Sequence, residues 1–237
     1  MKTIHFFLDF DGTVAASDVV DLVLEKYADK KWKEIEKEWS SGKIGSRECL
    51  SRQVDLIKAT QEDLKNIAYG VSLDPFFLSF LKKAEELGVL VTIVSDGFDI
   101  LIEQVLKKNF EKQAPILKAL PIFSNKLVQS GHGFKAAFAT EPPCDHGCAN
   151  CKAQVIKKTT SFDDHVFFVG DGLSDRYAAQ TAHLTFAKGK LLDYCKSQNL
   201  DAISYQDFSK ITEWLSDNYP LLKKTNITQK IDRDEKK

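Results

Sequence analysis

Two aspartates separated by one residue stand near the start of the chain. Asp9 and Asp11 directly follow a short apolar run, Ile4–Leu8. Because side chains alternate along an extended strand, the two carboxylates are expected to share one face and to converge on one pocket at the strand's carboxyl end. Paired carboxylates repel each other, so the pair favours a hard cation such as Mg2+ or requires one carboxyl to hold a proton. Phosphoryl transfer needs both arrangements, which makes it the leading chemistry for this pair.

Four further residues carry groups that suit the same chemistry. Ser95 follows a second apolar run, Lys152 begins a helix-like segment, and Asp171 and Asp175 lie in the sequence GDGLSD after a third run. A hydroxyl and an ammonium suit phosphate oxygens, and the additional carboxylates would complete an oxygen cage for a metal ion. The four pieces occur in an order that a parallel sheet would bring together.

Taken singly, these residues have simpler interpretations. Asp-Gly sequences favour turns, so the first aspartate pair would serve as a strand-to-turn device. Ser95 would act as a helix N-cap, and Lys152 would be a solvated surface lysine. The occurrence of all the residues together favours the catalytic interpretation.

The elements that must position these residues alternate along the chain. Three apolar runs, residues 4–8, 89–94 and 165–169, each stop at Asp with Gly or Ser, which is typical of a buried parallel sheet whose carboxyl ends carry the site. Leu184–Ala187 and Ala202–Ser204 are candidate further strands. Helix-like segments between them cover residues 75–87, 99–108, 151–159, 175–181 and 208–218. The alternation predicts an α/β fold with an open sheet.

Three other stretches differ from this pattern. From residue 17 to 68 apolar residues recur at helical spacing, which predicts a helical insertion after the first strand. Residues 117–138 hold two alternating stretches around Ser130-Gly131-His132-Gly133, which predicts a β-hairpin. The domain prediction is a core of residues 1–14 and 74–218, a helical cap of residues 15–73, and a disordered tail of residues 219–237, whose last part is polar and charged.

Composition excludes several classes of partner. The 33 Lys and Arg balance 34 Asp and Glu, and no long basic run precedes the tail, so neither nucleic acid nor a membrane surface is an expected partner. The first apolar run is too short for a signal peptide or a membrane span. Five cysteines, three of them crowded together, suit a reducing compartment and predict a cytoplasmic protein. The expected partner is a small molecule, and the sequence does not indicate an oligomeric state.

Four motifs in order, DFDGTV, VSDG, Lys152 and GDGLSD, resemble those of the haloacid dehalogenase superfamily, subfamily IB, whose phosphatases use an aspartate nucleophile. The resemblance covers the chain to about residue 218. It implies an open, Rossmann-like parallel sheet with an inserted helical cap of the C1 type. It also implies that Asp9 attacks phosphorus, and that Asp11 protonates the leaving oxygen and later activates water.

The resemblance assigns roles to the other motif residues as well. The phosphoryl group would be held by Ser95, Asp96, Gly97 and Lys152. Mg2+ would be held by Asp9, the main-chain carbonyl of Asp11, and Asp171, with Asp175 as a direct or water-mediated ligand. Two alternatives stay open: a non-catalytic phosphometabolite-binding protein, and a phosphotransferase that passes the phosphoryl group to an alcohol.

The cap is similar to that of the phosphoserine phosphatase branch, but it departs from that branch at two positions. Asp18 stands where that branch has a glutamate for the substrate ammonium, and Gln53 stands where it has an arginine for the carboxylate, with Arg52 beside it. Both departures argue against phosphoserine. As simpler interpretations, Asp18 is a helix N-cap and Arg52 a solvated helix residue.

Other segments look closer to the methionine-salvage, MtnX-like group of the superfamily. They are residues 74–99, 123–126 and 148–152. That group includes the phosphatase acting on 2-hydroxy-3-keto-5-methylthiopentenyl-1-phosphate, and the phosphocholine and phosphoethanolamine phosphatases are similar. The resemblance therefore implies one of these phosphate monoesters as substrate.

A short loop before Lys152 contains Cys144, His146, Cys148 and Cys151. Thiolate and imidazole ligands at this density would suit a structural Zn2+ that holds the lysine in place. The ligand spacing is tighter than in ordinary zinc ribbons. Reduced thiols in a plain loop are the preferred interpretation, and a redox disulfide is a third.

Overall fold

The computed structural model describes residues 2–110, 120–131 and 133–224. In these residues seven strands form one sheet in the order β4-β3-β2-β1-β5-β6-β7. The strands are β1 Ile4–Leu8, β2 Leu90–Phe98, β3 Ile122–Ser130, β4 Gly133–Ala137, β5 His165–Gly170, β6 Leu184–Ala187 and β7 Ala202–Ser204. All pairings are parallel except that of β3 with β4, among those whose register is defined. The predicted α/β fold is confirmed.

The described helices are α1 Val19–Tyr27, α2 Trp32–Ser40, α3 Ser46–Val54, α4 Gln61–Gly70, α5 Phe77–Glu86, α6 Asp99–Asn109, α7 Lys152–Thr159, α8 Arg176–Ala179, α9 Gly189–Ser197 and α10 Phe208–Leu222. The chain divides into two compact units. The first contains residues 2–8, 74–92 and 153–224, and the second contains residues 9–73 and 93–152 apart from the undescribed positions.

In the first unit β1 pairs with β5, β5 with β6, and β6 with β7. Every residue of β1 and of β5 is buried, as expected for parallel strands that are covered on both faces. Phe6 packs against Phe80 and Phe167 with ring centroids 5.4 and 4.8 Å apart. Phe77 of α5 packs edge-on against Phe208 of α10 at 5.1 Å, so aromatic side chains form this unit's core.

In the second unit α1 to α4 form the predicted helical insertion, and β3 and β4 form the predicted hairpin, which turns between Ser130 and Gly133. The first hairpin strand also pairs in parallel with β2, an arrangement that local patterning did not predict. Helix α6 packs against α4, and α3 packs against α2. Residues 117–119 of the predicted hairpin region lie outside the described residues.

Some predicted boundaries differ from the observed ones. Helix α10 continues to Leu222, so residues 219–222 belong to a helix and not to the predicted tail, because Leu222 is buried against the unit. Residues 225–237 of that tail lie outside the described residues. Helix α9 was not predicted. No helix in the described part of the chain is both long and apolar enough to cross a membrane.

Candidate active site

The chain turns sharply after β1. Asp9 is extended, with φ −66° and ψ 162°, and Phe10–Val14 forms a turn of the π-helical type that the main-chain hydrogen bond from Ala15 to Phe10 closes at 2.8 Å. Gly12 has a φ of +70°, a conformation that glycine adopts without a steric penalty. The turn explains why the sequence has glycine directly after the second aspartate.

Asp9 and Lys152 form a buried ion pair in the second unit. The Lys152 ammonium donates to Asp9 Oδ1 at 2.5 Å. The Lys152 side chain is 2% exposed and the Asp9 side chain is 7% exposed. Removing two charges from water is costly, so such a pair contributes little net stability. A chemical role accounts for it better, and the two sequence-predicted residues are brought together.

Asp11 has a different set of partners. Its Oδ1 accepts a hydrogen bond from the Val19 amide, at the start of α1, at 2.8 Å, and the Ser95 hydroxyl lies 3.5 Å from its Oδ2. The Ser95 hydroxyl also accepts from the Gly97 amide at 2.9 Å. A Cβ atom on Gly97 would lie only 2.8 Å from Asp11 Oδ2, so this position leaves no room for a side chain. Three predicted residues are therefore in contact.

Asp96, the remaining residue of the second motif, contacts the helical insertion. Its Oδ2 accepts from the hydroxyl of Ser46, the first residue of α3, at 3.0 Å. The same hydroxyl accepts from the Ala149 amide at 2.9 Å, in the loop that precedes Lys152. Ser46 thus joins the second motif, the insertion and this loop, all within the second unit.

Two buried asparagines support the same region. Asn125 donates to the main-chain carbonyl of Asp96 at 2.7 Å, and Asn150 donates to the carbonyls of Ser95 and Phe123 at 3.0 and 2.9 Å. Sequence reasoning missed Ser46 and both asparagines. Their partners are largely main-chain groups distant in sequence, which no local spacing reveals.

The predicted cap residues take part in contacts of the insertion itself. Asp18 is exposed and caps α1 by accepting from the Asp21 amide at 2.9 Å, so the N-cap interpretation is confirmed. Gln53 is buried and donates to Glu36 Oε2 at 3.0 Å.

Arg52 is exposed and forms ion pairs with Glu38 at 2.6 Å and with Glu48 at 3.3 Å. The hydrogen bond from Arg52 lowers the pKa of Glu38. These pairs are those of a surface helix residue, which agrees with the simpler interpretation of Arg52.

Asp171 and Asp175 follow β5 in the first unit. Asp175 is buried, and its Oδ2 accepts from the amides of Asp171 and Gly172 at 3.1 Å each. In the parallel register of β1 and β5, Leu8 is opposite Val169, so both strands end at the same edge of the sheet. The loop after β5 is therefore held in a fixed shape by one of its own carboxylates.

Three cysteines of the loop before Lys152 converge. The sulfurs of Cys144, Cys148 and Cys151 all lie within 4.8 Å of one another, and none of the three forms a disulfide. His146 is not part of this cluster. Burial raises the pKa of the Cys148 thiol. For Cys144 burial acts in the same direction, but hydrogen bonds from Cys148, His146 and Cys151 outweigh it and lower the pKa.

Comparison with known sequences decides the family. The sequence profile of the haloacid dehalogenase-like hydrolases matches residues 6–180, which include all four motifs. The chain belongs to this family. The resemblance inferred from the motifs is thereby confirmed.

Curated relatives of this hydrolase match over nearly the whole chain. A 2-hydroxy-3-keto-5-methylthiopentenyl-1-phosphate phosphatase from an Exiguobacterium species is 22% identical over 215 residues, covering 89% of this chain and 96% of the relative. The phosphatase of the same name from Bacillus velezensis is 27% identical over 212 residues, covering 89% and 88%. Both matches therefore cover most of this chain and most of the relative.

Solved structures agree on the fold. A substrate-bound phosphoserine phosphatase matches with a TM-score of 0.69 at 21% identity, covering 90% of this chain and 99% of the other. A phospho-aspartyl intermediate analogue of phosphoserine phosphatase matches with a TM-score of 0.68 at 21% identity and the same coverage. At this identity the likeness extends to the fold and not to the substrate.

Proposed function

We propose that this hydrolase is a phosphatase that cleaves a small phosphate monoester through an aspartyl-phosphate on Asp9. The buried pair of Asp9 and Lys152 carries the proposal, because it places a carboxylate nucleophile beside a cation suited to phosphate oxygens. The ammonium pairs with the carboxylate. With substrate bound, the ammonium would also bind the phosphoryl group.

The residues divide the reaction into two displacements. A carboxylate oxygen of Asp9 attacks phosphorus, the bond from phosphorus to the ester oxygen breaks, and Asp11 gives its proton to the leaving alkoxide. Asp11 then takes a proton from water, whose oxygen attacks the same phosphorus. The bond from phosphorus to Asp9 breaks and releases inorganic phosphate. The Ser95 hydroxyl and the amides of Asp96 and Gly97 would hold the phosphoryl oxygens.

The motif after β1 and the motif after β5 each carry oxygen ligands suited to Mg2+. The ligands would be the carboxylates of Asp9 and Asp171, the carbonyl of Asp11, and Asp175 directly or through water. All of these donors are oxygens, which Mg2+ prefers over a softer ion. When bound, Mg2+ would offset the negative charge shared by the phosphoryl group and the aspartates.

The substrate class follows from the relatives and from the insertion. Relatives that match over nearly the whole chain are named as phosphatases of 2-hydroxy-3-keto-5-methylthiopentenyl-1-phosphate, a phosphate ester of methionine salvage. We propose this ester as the first candidate substrate. Phosphocholine or phosphoethanolamine comes second. Phosphoserine comes last because Gln53, already bonded to Glu36, provides no positive charge for a substrate carboxylate. A cytoplasmic location goes with this metabolic role.

A panel of phosphate esters tests the proposal, with and without Mg2+. We expect phosphate release that depends on Mg2+ and stops with excess chelator, and inhibition by Ca2+, which can draw both oxygens of Asp9 into coordination. Asp9→Asn should lower the rate of phosphate release by about 100-fold or more, because an amide does not attack phosphorus. Asp163→Asn, an exposed aspartate, is the matched control and should retain full activity.

Three outcomes separate the alternatives. Turnover by Asp9→Asn above a few per cent of the parent would exclude Asp9 as nucleophile. Tight binding of the esters without turnover by the parent would indicate a non-catalytic binding protein. Product formation that rises with an added alcohol, at the expense of free phosphate, would indicate a phosphotransferase.

A further inference from the structure

The cysteine cluster is separate in chemistry from the oxygen donors of the active site. Its three thiols come from one loop with the spacing Cys144, Cys148, Cys151, whereas the other two cysteines, Cys49 and Cys195, lie within helices. Cys148 and Cys151 are 8% and 2% exposed. Three sulfurs within 4.8 Å of one another, on two buried residues and one half-buried residue, form a cluster of soft ligands.

We propose that these three thiols bind a soft divalent metal ion, with Zn2+ as the first candidate. With a Zn–S bond of about 2.3 Å, sulfurs in a tetrahedral site lie about 3.8 Å apart. The observed sulfurs lie within 4.8 Å of one another, so shifts of the sulfur atoms by about 1 Å would bring them to metal-binding distances. Thiolate ligands select zinc over the hard cation that carboxylates favour.

The local backbone already has the shape that such a site needs. The Gly147 amide donates to the Cys144 carbonyl at 3.0 Å, and Gly147 has a φ of +64°, so a tight turn folds the first two cysteines together. The Cys148 amide lies 3.3 Å from the Cys144 sulfur. Amide donors to a sulfur stabilise the thiolate form that binds metal.

Binding of Zn2+ would release protons from the thiols. The three thiols lose their protons to solvent as three Zn–S bonds form, and no oxidant is required. A tetrahedral ion takes one further ligand, which a water molecule can supply where three protein ligands are present. A disulfide would use only two of the three converging sulfurs, so the metal accounts for the whole cluster.

The loop is also a junction for the residues of the proposed site. The Cys151 amide donates to Thr140 Oγ1 at 2.7 Å, and Lys152 follows directly. The Arg47 amide of α3 donates to the Gly147 carbonyl at 3.0 Å. A bound ion would therefore fix the loop that orients Lys152 and that meets the start of α3.

Metal analysis of the reduced, untagged protein tests the proposal. We expect about one equivalent of zinc per chain, loss of that zinc in Cys148→Ser, and retention in the control Cys195→Ser. Cobalt substitution should give sulfur-to-metal charge-transfer absorption in the parent and in Asp171→Asn, but not in Cys148→Ser.

Two results would overturn the proposal. One is protein that neither contains nor takes up zinc or cobalt while all five thiols react with a thiol reagent after unfolding. The other is a disulfide within the loop, seen as a mass two hydrogens lower. The effect on Lys152 rests on the proposed function, whereas metal content does not. Zinc retained in a protein that lacks phosphatase activity would therefore refute only the proposed function.

Discussion

At the residue scale, Asp9 and Asp11 are two carboxylates of one motif with different partners. Asp9 lies against an ammonium, whereas Asp11 accepts from a main-chain amide and lies near a hydroxyl. An ammonium favours the ionised, nucleophilic form of a carboxylate, so the contact with Lys152 suits Asp9 to attack on phosphorus. The proposed division of roles makes Asp9 the nucleophile and Asp11 the general acid.

Asp11→Asn tests that division. The variant should hydrolyse alkyl phosphates about 100- to 10,000-fold more slowly, because the leaving alkoxide loses its proton donor. An aryl phosphate has a good leaving group and should be affected much less in phosphoenzyme formation. The measurement is the time course of aryl alcohol release by the variant. We expect a rapid burst followed by slow steady turnover, since Asp11 is also needed to activate water for hydrolysis of the phosphoenzyme.

The control for this experiment is the parent enzyme with the same two esters. An equal fall for both esters in the first chemical step would remove the general-acid role from Asp11. Thermal unfolding of parent and variant should be compared in parallel, because Asp11 also accepts from the first amide of α1.

At the scale of elements, the end of β2 brings the serine and glycine of the second motif against Asp11. A Cβ at Gly97 would meet Asp11 Oδ2 at 2.8 Å and the Ser95 hydroxyl at 3.1 Å. Gly97→Ala should therefore displace one of these groups and lower kcat about 10- to 100-fold, as small misplacements at a reacting centre do. Gly70→Ala, where an added Cβ meets nothing within 4 Å, is the matched control. Steady-state kinetics of both variants would show the contrast, and equal activities would place Asp11 outside the chemistry.

Much of this arrangement was predictable from local sequence. The apolar runs that precede Asp9, Ser95 and Asp171 are visible because a buried parallel strand is an unbroken apolar run. The second strand nevertheless continues past Ser95 to Phe98, beyond the predicted end at Val94. The parallel pairing of β3 with β2 was not visible, since strand partners are non-local. The contact of Gln53 with Glu36 likewise depends on how α3 packs against α2, which periodicity alone does not determine.

The same contact sharpens the prediction on substrate choice. Phosphoserine should be a poorer substrate than an ester without a carboxylate, measured as kcat/KM. Gln53→Arg alone should change the preference little, because the new guanidinium would pair with Glu36. Gln53→Arg combined with Glu36→Gln leaves that positive charge for the substrate and should raise kcat/KM for phosphoserine. A parent enzyme that prefers phosphoserine, or a double variant identical to the parent, would contradict this account of the insertion.

At the scale of the whole molecule, the buried parallel strands include one titratable group that does not belong to the proposed site. His5 of β1 is 5% exposed, stacks on Phe7 with ring centroids 4.0 Å apart, and shares a 2.8 Å hydrogen bond with the Thr92 hydroxyl. Burial lowers the pKa of His5 from 6.5 to about 4, with a smaller opposing effect from Asp164. The imidazole is therefore neutral in the folded protein at neutral pH.

This burial predicts a component of acid sensitivity that belongs to His5. The unfolded chain binds a proton at its ordinary pKa of 6.5, whereas the folded chain does so only near 4, so stability is lost as the pH falls through this window. The free energy of unfolding should decrease by about 3 kcal/mol from this group. His5→Gln can keep a hydrogen bond to Thr92 but does not ionise, so denaturant titrations at pH 7.5 and pH 4.5 should show a smaller decrease for the variant. Since both proteins share every other titrating group, the difference between the two decreases isolates His5, and equal decreases would mean that the folded protein accommodates a charged imidazole at this position.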